Sequence, residues 1–299
     1  MLRRLQELVT YSVVWPNPWE LLYYGEKGVL AESLDRAAAV ATSSGRPTTR
    51  RLDANTDFDS LAPWVLKRGY SGYSEDVHLP GKLGRPNSWN DLMEASGGHR
   101  QYDTAWLAQP YQPAIRQIGE FRVYFVAGKQ VQTVHTRPQA DGSLDVDIVH
   151  TMYPLDIWRY VRMRSPDGCE AHAEIALHYC SRLSAKEDLG RRSFANETYV
   201  GAQEGFLDRG KEEFDDFARK TWARLIEECE EEIGSSGLAL FGRLDISLVE
   251  ITHHCFQFYV NEVERSATCN LFFDNFSCEG PRLVAKFVDA LPRYCHSLC

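Results

Sequence analysis

Apolar residues spaced three and four apart predict several helices. The Ala-rich segment 28–42 has this spacing and is followed by Ser43, Ser44 and Gly45, which favour the end of a helix. Segment 209–233 combines acidic clusters with an apolar stripe, the pattern of a long helix with one buried side. Similar spacing predicts further helices at 2–10, 171–182 and 281–291.

Short apolar runs bounded by turn residues predict strands. Segments 120–127 and 130–136 flank Gly128-Lys129, a tight-turn signal, and form the clearest hairpin of the chain. Further strands are predicted at 48–52, 64–68, 105–109, 144–151, 240–251 and 255–263. Because strands joined by hairpins are mixed with helices, the pattern predicts the α+β class.

The composition is that of a globular chain, with 299 residues, a formal net charge of −9 and 43% hydrophobic residues. This length supports one large domain or two interlocked lobes with a substantial core. The acidic balance argues against a nucleic-acid partner, because no basic face would neutralise phosphates. No apolar run is long enough to span a membrane, so we expect no membrane partner.

The cysteines and the N-terminal residues indicate the cellular compartment of the protein. The eight cysteines form no C-x-x-C pair, so they signal no structural zinc, and they are too sparse for a disulfide scaffold. The N-terminal residues lack the apolar run of a signal peptide. We therefore expect a cytoplasmic protein with reduced thiols.

A first chemical signal is Lys67, which ends a predicted strand and precedes a loop of small and hydroxyl residues at 69–74. Backbone N–H groups of such a loop can close on phosphate oxygens while the ammonium supplies a point charge. The order differs from the G-x-x-x-x-G-K-[ST] loop, because here the lysine comes first. The alternative is a surface lysine beside an ordinary turn.

A second signal is the paired charges of two predicted strands. Arg243 and Asp245 share one strand face, as do Glu262 and Glu264, because side chains alternate along a strand. Pairing of these strands places three carboxylates and a guanidinium together, which is costly unless a cation neutralises them. Hard oxygen ligands suit Mg²⁺, which commonly also binds phosphates. We favour this metal site over the alternative in which these side chains face solvent.

These residues belong to a series of motifs that resembles the ATP-grasp superfamily, which includes D-alanine–D-alanine ligase and bacterial glutathione synthetase. Lys27 and Lys67 resemble the two nucleotide lysines of the family, with 69–74 as the mobile loop that covers the phosphates. Residues 107–111 resemble the hinge that packs the adenine, where the family often has an acidic residue in place of Gln109.

Other motifs follow in the family's order. Residues 44–48 resemble its turn into a strand, and residues 119–123 are similar to the G-D-x-R-V strand of the glutathione synthetase branch. Arg137 lies where that branch carries a substrate-facing arginine. Residues 243–245 match the R-x-D strand, and residues 262–264 occupy the metal-binding E-x-N strand.

The resemblance implies an α+β ATP-grasp fold, in which two lobes grip ATP between antiparallel sheets. It places the first lobe at 27–108 and the second at 109–299, after a short segment 1–26 where the family has a full substrate domain. Segment 138–208 has no counterpart and is expected to shape the acceptor site. Glu264 replaces the family's Asn and adds a negative charge.

The resemblance also implies three groups of site residues. The implied catalytic residues are Arg122, Arg137 and Arg243. The implied ATP-binding residues are Lys27, Lys67, Ser71, Gly72, Gln109, Tyr111 and Glu120. The implied metal ligands are Asp245, Glu262 and Glu264.

The implied activity joins a small-molecule carboxylate to an amine, with ATP and Mg²⁺, through an acyl phosphate, and releases ADP and phosphate. One alternative is a small-molecule kinase on the same fold, which needs a basic acceptor pocket. Five arginines are candidates for that pocket: Arg159, Arg162, Arg164, Arg191 and Arg192. Another alternative is a nucleotide-binding domain without turnover.

Overall fold

The structure is a computed structural model that describes residues 11–70, 76–95, 105–138, 143–155, 196–252, 255–265 and 279–298, together with Arg4 and Cys269. For residues 196–206, 252, 255 and 279–281 it describes the backbone alone. The predicted helix at 171–182, and that at 2–10 apart from Arg4, lie outside these ranges. None of the described helices combines the length and apolar character needed to cross a membrane.

The described helices follow the predicted pattern with shifted ends. The long helix begins earlier than predicted, at Asn196, and the predicted helix at 28–42 continues from an α-helix into wider π-type turns at Ala38–Thr42. Ser43 then adopts a positive φ of 53° and ends it, at the predicted stop. The helices are α1 Pro18–Tyr24, α2 Lys27–Ala37, α3 Trp89–Ala95, α4 Pro113–Gln117, α5 Asn196–Ile233 and α6 Glu279–Ser297.

The first sheet contains four antiparallel strands in the order β1-β4-β2-β3. Its strands are β1 Arg50–Leu52, β2 Trp64–Arg68, β3 Val77–His78 and β4 Trp106–Pro110. Leu66 and Trp106 are fully buried and pack with Leu92 of α3 in a small separate core. This core packs against β2 and β4, and these two strands carry Lys67 and Gln109.

The second sheet contains five antiparallel strands in the order β7-β6-β5-β8-β9. Its strands are β5 Glu120–Val126, β6 Lys129–Pro138, β7 Leu144–Ile148, β8 Phe241–Thr252 and β9 Cys255–Glu264. Two antiparallel sheets with helices confirm the predicted α+β class.

The two faces of the second sheet have different environments. On the back face, Phe121, Val123 and Phe125 pack with Phe214 and Trp222 of α5 in the main core. Leu30, Leu34 and Ala37 of α2 belong to the same core, although the resemblance assigns this helix to the first lobe. The lobe boundaries stay a prediction.

On the front face, Tyr124, Val126 and Val134 are covered at one end by α6, through Leu283 and Ala290. The remaining part of the front face carries charged side chains, because Glu120 and Arg122 alternate with the buried phenylalanines along β5.

Candidate functional site

Two lysines lie at the junction of the sheets. Lys27 opens α2, and its backbone N–H donates to the Gly69 carbonyl at 3.0 Å. Its Nζ lies 3.8 Å from Oε1 of Glu262 on β9. Lys67 on β2 donates from Nζ to Oε1 of Gln109 at 3.1 Å. The first turn of α2, the end of β2 and the front face of the second sheet therefore meet at one place.

Gln109 positions the Lys67 ammonium. Its Nε2 donates to the Pro47 carbonyl at 3.3 Å, which leaves Oε1 directed at Lys67. Burial lowers the pKa of Lys67, while the nearby Glu262 carboxylate raises it and the Lys27 ammonium lowers it further. A buried ammonium gains most from an anionic ligand, because water screens that interaction least.

Arg122 and Asp245 form the charged centre of the front face. They are register partners across β5 and β8, and Nη1 of Arg122 forms an ion pair with Oδ2 of Asp245. Arg122 also donates from Nε to the Thr136 hydroxyl at 3.2 Å. Burial alone would raise the pKa of Asp245, but the Arg243 and Arg122 guanidiniums outweigh it and hold that pKa below its ordinary value.

Glu120 lies beside this centre. Its Oε1 accepts from Nδ2 of Asn261 at 3.0 Å, and its Oε2 lies 3.4 Å from Nη2 of Arg122. Burial raises the pKa of Glu120 above its ordinary value, and the carboxylates of Asp245 and Glu262 add to this effect. The preceding Gly119 has a φ of +96°, and a Cβ there would meet the Thr136 carbonyl at 2.2 Å, so glycine is required before this strand.

Arg243 is buried, with only 1% of its surface exposed. Its Nε donates to Oδ1 of Asp245 at 2.6 Å and its Nη2 donates to Oδ2 at 2.9 Å, a bidentate pair. The guanidinium also lies 6.0 Å from the ring centre of Tyr124. In this arrangement Arg243 fixes the orientation of Asp245.

The predicted pairing of the two acidic strands is confirmed, with Asp245 opposite Glu262 and Arg243 opposite Glu264. Among the described residues, however, no three His, Cys, Asp or Glu side chains converge as a ligand set for a metal ion. Glu264 instead lies 3.8 Å from Nη2 of Arg243. The three-carboxylate set therefore stays a prediction.

A smaller magnesium site fits the residues present. Mg²⁺ commonly binds one or two carboxylates and takes its other ligands from substrate phosphates and water. Asp245 and Glu262 are register partners with hard oxygen donors, and the Glu262 side chain is 37% exposed. A pair of carboxylates beside two lysines is the donor chemistry that a magnesium–polyphosphate complex needs.

Arg137 does not join this site. A bulge in the β5–β6 hairpin sets Tyr124 opposite Gln132 and Phe125 opposite Gln130, so Val131 is an extra residue. One extra residue moves every later side chain to the other face. Arg137 therefore lies on the face opposite to Arg122 and pairs with Asp145 at 2.7 Å, so the structure does not bring these two arginines together, and the implied role of Arg137 toward the substrate stays a prediction.

The remaining predicted site residues lie beyond β4 or outside the described ranges. Ser71 and Gly72 lie outside the described residues, as do the five arginines of the kinase alternative. Tyr111 follows β4, is partly buried, and donates from its backbone N–H to the Pro63 carbonyl at 3.3 Å.

Two residues that organise the site escaped the sequence analysis. Glu26 accepts from the backbone N–H groups of Gly28 and Val29, at 2.9 and 3.0 Å, and pairs with Arg51 at 2.6 Å. It thereby fixes the helix turn that carries Lys27. A glutamate two residues before the start of the predicted helix is the signal that points to such a cap.

Arg46 joins the loop before β1 to the second sheet. Its Nη1 donates to the Val260 carbonyl at 2.7 Å, and its Nε donates to Asp35 at 3.0 Å. Its side chain is 3% exposed. The contact is long-range, so local sequence patterns contain no signal for it.

Comparisons with known proteins give structural neighbours only. No family model matches the chain, and no curated protein matches it. Among solved structures, D-cycloserine synthetase DcsG has a TM-score of 0.46 at 16% identity, over 91% of this chain and 70% of its own. The D-alanine–D-alanine ligase of Bacillus anthracis, complexed with ATP, has a TM-score of 0.45 at 13% identity, over 93% and 69%.

A third neighbour is the ATP-grasp ligase PsnB complexed with a minimal precursor, which has a TM-score of 0.43 at 12% identity. The match covers 93% of this chain and 64% of PsnB. PsnB carries the name of the superfamily that the sequence motifs resemble. All three TM-scores are below 0.5, so these neighbours carry no argument for the function of this chain.

Proposed function

We propose that this protein is an ATP- and Mg²⁺-dependent ligase of the ATP-grasp type that joins a carboxylate to an amine and releases ADP and phosphate. The observation that carries the proposal is the meeting of Lys27 and Lys67 with Glu262 and the Arg122–Asp245 pair between two antiparallel sheets. Two ammonium groups facing carboxylates on a preformed sheet match the alternating charges of a metal–polyphosphate complex.

The nucleotide would bind where the first sheet meets the second. Lys67 and Lys27 would contact its phosphate oxygens, and in that state the Lys67 ammonium would exchange its contact with Gln109 for one with phosphate. Gln109 and Tyr111, at the end of β4, would contact the base. Glu120 would accept a hydrogen bond from a nucleotide hydroxyl, with Ser71 and Gly72 in the loop over the phosphates.

Asp245 and Glu262 would hold Mg²⁺, which when bound neutralises charge on the phosphates. Arg243 would act through Asp245, because it is buried and makes a bidentate contact with that carboxylate. Glu264, as a third carboxylate near Arg243, makes this end of the site more negative than an asparagine would.

Arg122 is the arginine best placed for the reacting groups. In the proposed reaction an oxygen of the substrate carboxylate bonds to the γ-phosphorus, and the bond to the ADP oxygen breaks. The amine nitrogen then bonds to the acyl carbon, phosphate leaves with the transferred oxygen, and the nitrogen loses a proton. A guanidinium with N–H groups at the front face suits the charge that develops on the phosphoryl oxygens.

A product assay tests the proposal against its alternatives. The protein is incubated with ATP, Mg²⁺ and a mixture of amino acids, and ADP, phosphate and new amides are measured by mass spectrometry. A ligase forms all three together. A kinase instead leaves the phosphoryl group on an acceptor, and a domain without turnover forms no ADP.

A further inference from the structure

A polar groove lies away from the proposed nucleotide site, between the turn end of the β5–β6 hairpin, the end of β7 and the helices α5 and α6. It has a volume of about 370 Å³. We call it the hairpin groove. Its charged and polar lining residues include Gln130, His150, Lys211, Asp215, Arg219 and Arg282.

The hairpin groove is basic in an acidic protein. Among the described residues that line it, Lys211, Arg219 and Arg282 are cationic and Asp215 is acidic, and Asp215 is paired with Lys211. The whole chain has a formal net charge of −9. A local excess of positive charge on such a chain raises the local concentration of anions.

Hydrogen bonds fix the orientation of Gln130 at the wall of the groove. Its Nε2 donates to Oδ1 of Asp215 at 2.6 Å and to the Thr133 hydroxyl at 3.1 Å. Lys211 donates to both oxygens of the same Asp215 carboxylate, at 2.5 and 2.7 Å. Because a carboxylate only accepts hydrogen bonds, the amide nitrogen must face Asp215.

In this orientation Oε1 of Gln130 meets no donor among the described residues. The oxygen is buried and has no hydrogen-bond partner within the part of the chain that the structure describes. A buried acceptor without a partner is costly, so a donor is expected to reach it. Gln130 lines the groove, and a ligand bound there is therefore a source of that donor.

The groove is separate from the proposed active site. Gln130 is the register partner of Phe125, whose ring stacks on Trp222 at the back of the sheet. Arg122 and Asp245 lie on the front face. Occupation of one site therefore does not require the other.

We propose that the hairpin groove binds a small anion that carries a hydroxyl group, the chemistry of a hydroxycarboxylate or a sugar phosphate. Arg219 and Arg282 bind the anionic group, and the ligand hydroxyl donates to Oε1 of Gln130. The volume is in the range of small-molecule sites, about 300–1,000 Å³.

Calorimetry on the full chain at constant ionic strength tests the site with two matched pairs of probes. Citrate is compared with tricarballylate, which lacks the hydroxyl, and glycerol 3-phosphate is compared with n-propyl phosphate. At least one hydroxylated probe should bind about tenfold more tightly than its partner, since it adds a hydrogen bond to a buried acceptor. The pair that discriminates identifies the anionic group.

Three variants make the test specific. Arg219→Gln should weaken binding about tenfold through loss of a charge-assisted contact. Gln130→Leu should remove the preference for the hydroxylated probe, with folding checked by circular dichroism. Lys220→Gln, which removes a charge from an exposed site on the same helix, should leave binding unchanged. Absence of binding by all four probes, or equal losses in Arg219→Gln and Lys220→Gln, would overturn the proposal.

Discussion

Arg122 on β5 and Asp245 on β8 face each other across adjacent strands and form an ion pair on the front face of the second sheet. Arg243 holds the same carboxylate from the side with two further hydrogen bonds. Asp245 is thereby kept ionised and oriented before any substrate arrives. The arrangement suits a group that must present an oxygen to a metal, and in the proposed reaction Arg122 contacts the transferring phosphoryl group.

Replacement of Arg122 tests its proposed contact with the transferring phosphoryl group. Arg122→Lys keeps the charge but loses the planar fork that reaches both Asp245 and Thr136. We expect kcat to fall about a hundredfold, as for the loss of one transition-state donor. Steady-state kinetics on the folded variant measure this.

Arg137→Lys is the matched control for this substitution. Arg137 pairs with Asp145, and both side chains are more than one-third exposed, on the opposite face. Turnover should therefore be unchanged. If Arg137→Lys lost activity while Arg122→Lys kept it, our placement of the acceptor site would be wrong.

Lys67 provides a direct test of nucleotide binding. Lys67→Met keeps the aliphatic volume of a buried side chain and removes the ammonium that faces Gln109. We expect ATP affinity to fall more than about tenfold, which corresponds to about 1.4 kcal/mol. Calorimetric titration with ATP gives the affinity.

Lys82→Met is the control, because Lys82 is exposed in the loop between β3 and α3. Its ATP affinity should equal that of the parent protein. Unchanged affinity in a folded Lys67→Met protein would remove Lys67 from the site.

Glu262→Gln tests the proposed metal site. Mg²⁺ with ATP should raise the melting temperature of the parent protein, because ligands that bind only the folded state stabilise that state. At a hundredfold excess of ligand over Kd, the free energy of unfolding rises by about 2.7 kcal/mol. The variant should lose the magnesium-dependent part of this shift. Oε1 of Glu262 lies 3.8 Å from Nζ of Lys27, and the Glu262 side chain is partly exposed. The free energy of unfolding of the metal-free variant should therefore change little.

Glu227→Gln serves as the control for Glu262→Gln, since Glu227 has a 61% exposed side chain on α5. Thermal denaturation with and without Mg²⁺ compares the two variants. A full magnesium-dependent shift in Glu262→Gln would contradict the assignment of this ligand.

His135 predicts a pH dependence of stability. Its ring stacks on Phe121 at a centroid distance of 4.5 Å, and its Nε2 lies 2.6 Å from the Ile118 carbonyl. Burial lowers the pKa of His135, so the unfolded chain binds a proton at higher pH than the folded protein. The free energy of unfolding should therefore fall as the pH drops below about 6.5 and level off below the folded pKa.

Urea denaturation across this pH range measures the effect. His135→Gln should be less stable at neutral pH but should show a smaller loss on acidification. His150→Gln, at an exposed position, should retain the slope of the parent protein. An unchanged slope in His135→Gln would show that other groups cause the acid sensitivity.

The shared faces of the charged side chains could be predicted from the sequence, because alternation along each strand places Arg243 with Asp245 and Glu262 with Glu264. The sheet face on which Arg137 lies could not be predicted from the sequence. A regular two-residue hairpin would put it on the same face as Arg122, and the bulge at Val131 reverses this. No local residue pattern at Val131 marks that bulge.

Long-range contacts account for the other differences. The partners of Asp245 come from β5 and β8 together, and Arg46 reaches Val260 across the junction of the sheets. Such contacts depend on how the elements pack, which periodicity does not encode. For the same reason the helix at Lys27–Ala37 could be predicted, whereas its place in the core of the second sheet could not.

The most direct test of the proposed ligase activity follows the oxygen of the substrate carboxylate. Amino acids labelled with ¹⁸O in the carboxylate are incubated with the protein, ATP and Mg²⁺, and the products are analysed by mass spectrometry. Transfer through an acyl phosphate predicts ADP, a new amide and phosphate carrying one labelled oxygen, in equal amounts. An amide formed with unlabelled phosphate, or with AMP and pyrophosphate in place of ADP and phosphate, would contradict it.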